Sequence, residues 1–193
     1  LESNPKLCDH LHIPIQSGSE IVLKRMNRKY DKQYFKEKIE EIRHIRPSIS
    51  ITTDCIVGHP YETEECFNEC LDFCKELNFS KIHVFPYSMR NGTAASKMPQ
   101  VDNGIKKERA RKLILLSNKM ENDYYLKFIG CNLEVLTEEE HNGFITGHTS
   151  NYLKVNLKGD YKLNTRYLCK ITRVEDLVVF GEVISCVNEE ITL

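Results

Sequence analysis

The chain has 193 residues, with 27 Lys/Arg against 28 Asp/Glu for a formal net charge of −1, and eight cysteines. That balance excludes a strongly basic nucleic-acid-binding domain, and no stretch is long or apolar enough to span a membrane or act as a secretory signal. The cysteines point to free thiols in a reducing, cytoplasmic setting. Residues 127–193 hold 7 Lys/Arg against 10 Asp/Glu, so any nucleic-acid contact there must come from a local patch.

Residues 10–15 form an apolar run of strand length, and Gln16-Ser-Gly-Ser19 then turns sharply into the periodic segment Ile21-Val22-Leu23 and Met26. Ser17 or Ser19 can cap that helix. Asp31 caps a second helix to Arg46, where Phe35, Ile39, Ile42 and Ile45 keep helical spacing and Pro47 stops it. A β-rich run over 49–57 ends in Gly58, and Thr63 opens a third helix that ends near Asn78. Residues 81–87 make the third strand, followed by a loop over 88–101 with a turn at Asn91-Gly92. This β-α-β-α-β order implies parallel strands with right-handed crossovers. A long charged helix follows from Asp102 to about Phe128, with Ile105, Leu113, Leu116 and Met120 on one side as a connector to the next domain. Beyond Gly130, runs at 133–137, 144–148, 152–157, 167–174 and 177–184 predict five short strands in a small OB-like barrel. The domain boundary falls near 128.

Strand, tight polar turn, helix is where α/β proteins hold ligands, since the turn lies at the strand's carboxyl end. The residues of that turn say more. His10-Leu-His-Ile-Pro-Ile-Gln-Ser-Gly-Ser-Glu20, with Val22-Leu-Lys-Arg-Met26 and Arg28-Lys-Tyr30, resembles the radical S-adenosylmethionine (SAM) methylthiotransferases. Thr53-Asp-Cys-Ile-Val-Gly-His-Pro-Tyr-Glu-Thr63 and His83-Val-Phe-Pro-Tyr-Ser-Met-Arg-Asn-Gly-Thr-Ala94 agree in order and spacing, and Gly147-His-Thr-Ser-Asn-Tyr152 is similar to the TRAM RNA-binding barrel that ends these enzymes. The resemblance implies an α/β fold: residues 1–128 as the second half of a parallel, TIM-like (β/α) radical SAM partial barrel, and 129–193 as an all-β TRAM domain. It also implies an enzyme that places a methylthio group on C2 of a modified adenosine beside the tRNA anticodon, most similar in its motifs to the threonylcarbamoyladenosine branch. Its cofactors would be SAM and two 4Fe–4S clusters whose ligands lie outside this chain. The Cys-x3-Cys-x2-Cys cluster motif is absent, and a start at Leu1-Glu2 suggests a C-terminal piece, inactive alone and self-associating through its exposed sheet edge. Rival readings are a stand-alone RNA-binding module, a methylthiotransferase acting on a ribosomal protein, and a metal site on the helix bearing Cys66, Cys70 and Cys74. For that helix, the spacing Cys-x3-Cys-x3-Cys on an apolar stripe favours buried packing over ligation.

By resemblance, Gln16 and Ser17 face the ribose and methionyl end of SAM, Ile56 to Gly58 pass the adenine edge, and Val84, Phe85 and Pro86 give backbone contacts to the base. Adenine needs an apolar slot with backbone donors and acceptors, and the ribose needs a polar side chain. Ile56 and Val84 read equally well as strand core. Arg90 would face tRNA, or simply carry a solvated loop charge. In the second domain His148, Asn151, Tyr152 and Lys154 form an aromatic and basic set suited to stacking bases and holding phosphates. Strand alternation would set Tyr152 and Lys154 on one face, and a half-buried tyrosine is the plain alternative. Gly58-His-Pro-Tyr-Glu62 departs from the family's usual Gly-Phe-Pro-Gly-Glu, and a Tyr at 61 is expected to resist a positive-φ turn.

Overall fold

The computed structural model describes residue 4 and residues 6–187. Leu1, Glu2 and the last six residues of the predicted second domain lie outside them. The chain divides into two compact units: residues 11–120 with Asn4, and residues 121–187 with 6–10.

The first unit is built on a three-stranded sheet in the order β1 (His10–His12), β2 (Ser50–Val57), β3 (Lys81–Pro86). The β2–β3 pair is parallel, with Asp54 opposite His83 and Ile56 opposite Phe85. Helices α1 (Glu20–Arg25), α2 (Lys32–Ile45), α3 (Glu64–Leu77) and the first turns of α4 (Asn103–Leu126) complete it. Alternation divides the sheet. Ile51, Cys55 and Val57 are fully buried in a core with Ile15, Phe67, Cys70, Phe73 and Cys74, while Asp54 and Ile56, on the other face, are only half-buried. Two helices begin and end as the sequence indicates. Asp31 Oδ1 accepts from Tyr34 N, Thr63 Oγ1 from Cys66 N, and Asn78 closes α3 in the left-handed region at φ 47°.

Four local expectations are corrected. The first strand is only three residues long, because Pro14 has no N–H for the ladder and Ile15 N donates instead to Thr53 Oγ1 at 2.9 Å. Ser19 occupies the N-cap of α1 but makes no side-chain capping bond. The inward stripe of α4 keeps Leu113 and Met120 but not Ile105, which is exposed; Lys106, Arg109 and Ser117 are buried on it as well. Tyr61 does adopt a positive φ, 64°, and Arg25 lies over its ring at 4.1 Å, a contact that offsets part of the backbone cost.

The second unit is a closed barrel of β4 (Asn132–His141), β5 (Phe144–Thr149), β6 (Lys154–Lys158), β7 (Arg166–Glu175) and β8 (Val178–Cys186), in the order β4-β5-β6-β8-β7. β7 returns to pair with β4, and β6 and β8 run parallel. Val135, Val155, Leu157, Cys169, Ile171 and Val179 fill it with no solvent exposure. Asn142-Gly143 and Asp176-Leu177 take the paired positive φ of two-residue hairpins. Leu177 therefore belongs to a turn and not to the last strand. Tyr152, at φ 68°, likewise sits in the turn before β6, so strand alternation does not relate it to Lys154.

Gly18 has a steric role. A Cβ there would lie 2.9 Å from Cys70 Cα, in the backbone of α3. Gly18→Ala is expected to lower stability by about 1–3 kcal/mol through overpacking, read from chemical denaturation. An unchanged midpoint would show that α3 can move away from the turn.

Candidate functional site

At the carboxyl ends of the sheet strands a cleft of about 490 Å³ is lined by Gln16, Asp54, Ile56, Phe85, Pro86, Tyr87, Ser88, Arg90, Thr93 and Ala95. Gln16 is its most constrained member. It sits at φ 66°, donates its N–H to Asp54 O and accepts at its carbonyl from Ile56 N, at 2.9 and 2.8 Å. Two ladder bonds thus hold a non-glycine residue in a sparsely populated conformation, of the kind that concentrates at functional sites. Arg28 Nη2 donates to Gln16 Oε1 at 3.0 Å, which leaves the amide hydrogens as donors toward the cleft. Ile56 and Phe85, register partners on β2 and β3, add an apolar wall, and Phe85 is about half exposed.

Of the residues predicted for the nucleoside site, Gln16, Ile56, Phe85 and Pro86 line this cleft. Ser17 is fully buried, its hydroxyl accepting from Ser19 N at 3.2 Å, and Val84 packs toward the hydrophobic core. Gly58, at φ 72°, lies in the turn after β2, and a Cβ there would collide with Lys106 of α4. Arg90 lines the cleft as well. Asp54, Tyr87, Ser88 and Thr93 were missed as candidates. For Asp54 the signal was available, since it shares the i, i+2 face of β2 with Ile56.

The turn below the cleft is tied to α4. Glu62 Oε1 accepts from Gly58 N and from Arg109 Nη1, both at 2.8 Å, and Arg109 Nη1 also donates to Glu62 O at 3.0 Å. The two side chains are 2 % and 6 % exposed. Burial pushes the Glu62 carboxyl up to about 7 against the pull of the Gly58 N–H and the Arg109 guanidinium. Burial also lowers His59, which packs edge-on to Tyr87 at 5.3 Å.

In the second unit Tyr152 is exposed and its ring stacks between His10, at 4.3 Å, and His148, at 4.8 Å. Acidic partners flank the patch. Glu138, at a bulge in β4, meets His148 Nδ1 at 2.7 Å, and Lys154 Nζ donates to Glu139 at 2.6 Å. Asn151 is buried and structural in its contacts, accepting from Thr149 Oγ1 and donating to Tyr124 OH. The cysteines are regrouped too. Cys55 joins Cys70 and Cys74 in a buried cluster, with Cys55 and Cys70 sulfurs 3.5 Å apart and Gly18 N donating to Cys70 Sγ, while Cys66 stands apart from that cluster, buried in the first turn of α3.

Comparison with known proteins agrees with these motifs. Residues 1–74 match the Radical SAM superfamily. Over its full length the chain is 41% identical to the threonylcarbamoyladenosine tRNA methylthiotransferase MtaB of Bacillus subtilis, covering 44% of that protein. It is 40% identical, over 95% of its length, to a tRNA-2-methylthio-N(6)-dimethylallyladenosine synthase of Thermoanaerobacter, and 38% identical, over 93%, to one of Clostridium perfringens. The chain is a relative of the radical SAM tRNA methylthiotransferases. It spans less than half the length of the curated relatives it matches. In this relative of theirs no cysteine among the described residues lines the cleft, and the three clustered thiols lie in the core with α3. No helix among those residues is long and apolar enough to cross a membrane.

The Glu62–Arg109 pair makes a pH-dependent prediction. A carboxyl whose folded value lies above its unfolded one loses stability as pH rises through that window, here from about 4.5 to about 7. Arg109→Met keeps the stem but strands Glu62, so the window should extend above 7. The variant is expected to lose about 3–5 kcal/mol at pH 8 and clearly less at pH 5, measured by denaturant unfolding at both. A deficit equal at the two pH values would mean that packing, not charge, is what Arg109 supplies.

Proposed function

We propose that this chain contributes one wall of the SAM site and the RNA-holding barrel of a tRNA methylthiotransferase, which installs a methylthio group on C2 of a modified adenosine beside the anticodon, with the threonylcarbamoyl form preferred. Residues 1–128 are assigned to the radical SAM half-barrel and 129–193 to an OB-like TRAM domain. What supports the reading above all is convergence: Gln16, Ile56 and Phe85, from three separate sequence blocks, meet in one cleft at the strand ends. The closed five-stranded barrel with its exposed, stacked Tyr152 supports the second assignment.

The residues present fit the nucleoside. The cleft offers an apolar wall in Ile56 and Phe85, amide donors on Gln16, and Arg90 and Ser88 at its polar rim. SAM, when bound, supplies the methyl group and the source of the radical. The chain's own residues bind and orient: Gln16 holds the ribose hydroxyls, Ile56 and Phe85 exclude water from the base, and Arg90 meets a substrate phosphate. The two 4Fe–4S clusters take their ligands from outside the residues described. An unpaired base takes the place of one histidine against the Tyr152 ring, and Lys154 exchanges Glu139 for a phosphate.

Two measurements test this. SAM binding by equilibrium dialysis is expected to be saturable and at least about tenfold weaker in Gln16→Ala and in Phe85→Ala, a change of about 1.4 kcal/mol. Binding to a tRNA anticodon stem-loop is expected to weaken in the double variant Tyr152→Ala/Lys154→Ala, with its salt slope reduced by about one. Absent SAM binding together with an unchanged salt slope would overturn the proposal. tRNA binding alone would favour an RNA-binding module.

A further inference from the structure

One row below the cleft, toward the amino ends of the strands, three neighbouring strands present chemistry that the SAM-site reading does not use. His12 of β1, Asp54 of β2 and His83 of β3 project from the open face of the sheet, and their ligand-capable atoms all lie within 4.8 Å of one another. Asp54 and His83 are direct register partners, so backbone pairing fixes their spacing rather than flexible loops. None of the three is buried, so the group is reachable from solvent.

Three details of the geometry suit ligation better than simple polar packing. His12 Nε2 and Asp54 Oδ1 stand 3.3 Å apart. That is longer than a good charged hydrogen bond of about 2.7–2.9 Å. It is close to the separation of two donors on one tetrahedral ion with bonds of about 2.0–2.2 Å. The other nitrogen, His12 Nδ1, pairs with Thr52 Oγ1 at 2.9 Å. In the tautomer that donates this hydrogen to Thr52, Nε2 is left with its lone pair aimed at the carboxylate, an arrangement that wants a cation between them. The rings of His12 and His83 are tilted by 57° at 5.7 Å, so they do not stack face to face.

We propose that His12, Asp54 and His83 bind a divalent transition-metal ion of the zinc class, as three protein ligands with an open fourth position toward the cleft. Two imidazoles and one carboxylate form a donor set that such ions prefer over calcium or magnesium, which take oxygen-rich shells. Asp54 belongs both to this set and to the cleft lining, so an oxygen of a cleft ligand, or a water, can take the open position. Thr52 fixes the His12 ring from behind. The proposal goes beyond the SAM-site reading and stands or falls separately from it.

The test is titration of the chelator-treated chain with Co2+, followed by displacement with Zn2+. The expected result is one equivalent with tetrahedral ligand-field bands and no thiolate charge-transfer band, which separates this site from the cluster of Cys55, Cys70 and Cys74. His12→Ala, Asp54→Asn and His83→Ala should each weaken Co2+ by at least about tenfold, and Thr52→Val by about 10–100-fold as a residue behind the ligand. In the unmodified chain Co2+ should shift the ring resonances of His12 and His83 ahead of the other histidines, a readout that depends on no variant's folding. Absence of a saturable band, a thiolate signature that survives His83→Ala, or ring shifts confined to other histidines would overturn the proposal.

Discussion

Glu62 and Arg109 meet at 2.8 Å almost out of contact with water, and the turn that follows β2 hangs on that contact. Gly58 N donates to the same carboxylate oxygen, so a single group fixes both the glycine and the helix that covers it. Farther along α4, Ser117 accepts from Ile82 N and donates to Ile82 O, which ties the same helix to β3. The two strands whose ends form the cleft are therefore held from behind by one helix. A buried ion pair is weak evidence for net stability. Here its consequence is positional, since loss of either partner would release the turn between β2 and α3.

The sheet separates two kinds of chemistry by alternation alone. On the helix side Cys55 meets Cys70 and Cys74, and the neighbouring thiols with the Gly18 N–H hold the Cys70 thiol low while Cys55 is raised. These groups are sealed in the core. On the other side Asp54, Ile56, His83 and Phe85 stand in register pairs with their side chains accessible. A one-residue slip of β2 against β3 would exchange the two sets, which is why register carries so much of the functional reading.

The barrel illustrates how little net charge says about a surface. Its unit is acidic in sum, yet the exposed ring of Tyr152, the half-buried ring of His148 and the Lys154 ammonium share one area. Glu138 and Glu139 neutralise that area, and Lys154 in turn holds the Glu139 carboxyl below its ordinary value. An anionic ligand would have to displace carboxylates already in place. Such exchange gives less affinity than a bare basic patch and more selectivity for a ligand that also stacks.

The sequence by itself determined the elements whose signals are local. Asp31 and Thr63 cap their helices, Asn78 ends α3, and the β-α-β-α-β order followed by five short strands is the order observed. Residues of three motif blocks meet in one cleft, because the ends of adjacent parallel strands lie side by side. What only the tertiary structure decided are the non-local choices. Helical spacing proposed Cys66 as the partner of Cys70 and Cys74, but the sheet supplied Cys55, fifteen residues before Cys70. Alternation assumed that Tyr152 lay in a strand, whereas a left-handed turn holds it between two histidines. Tyr61 was expected to refuse positive φ, and a cation over its ring accompanies it there. Caps and turns are set by side chains reaching a few residues along the chain, while thiol clusters, ring stacks and strained backbone depend on neighbours that only folding brings near.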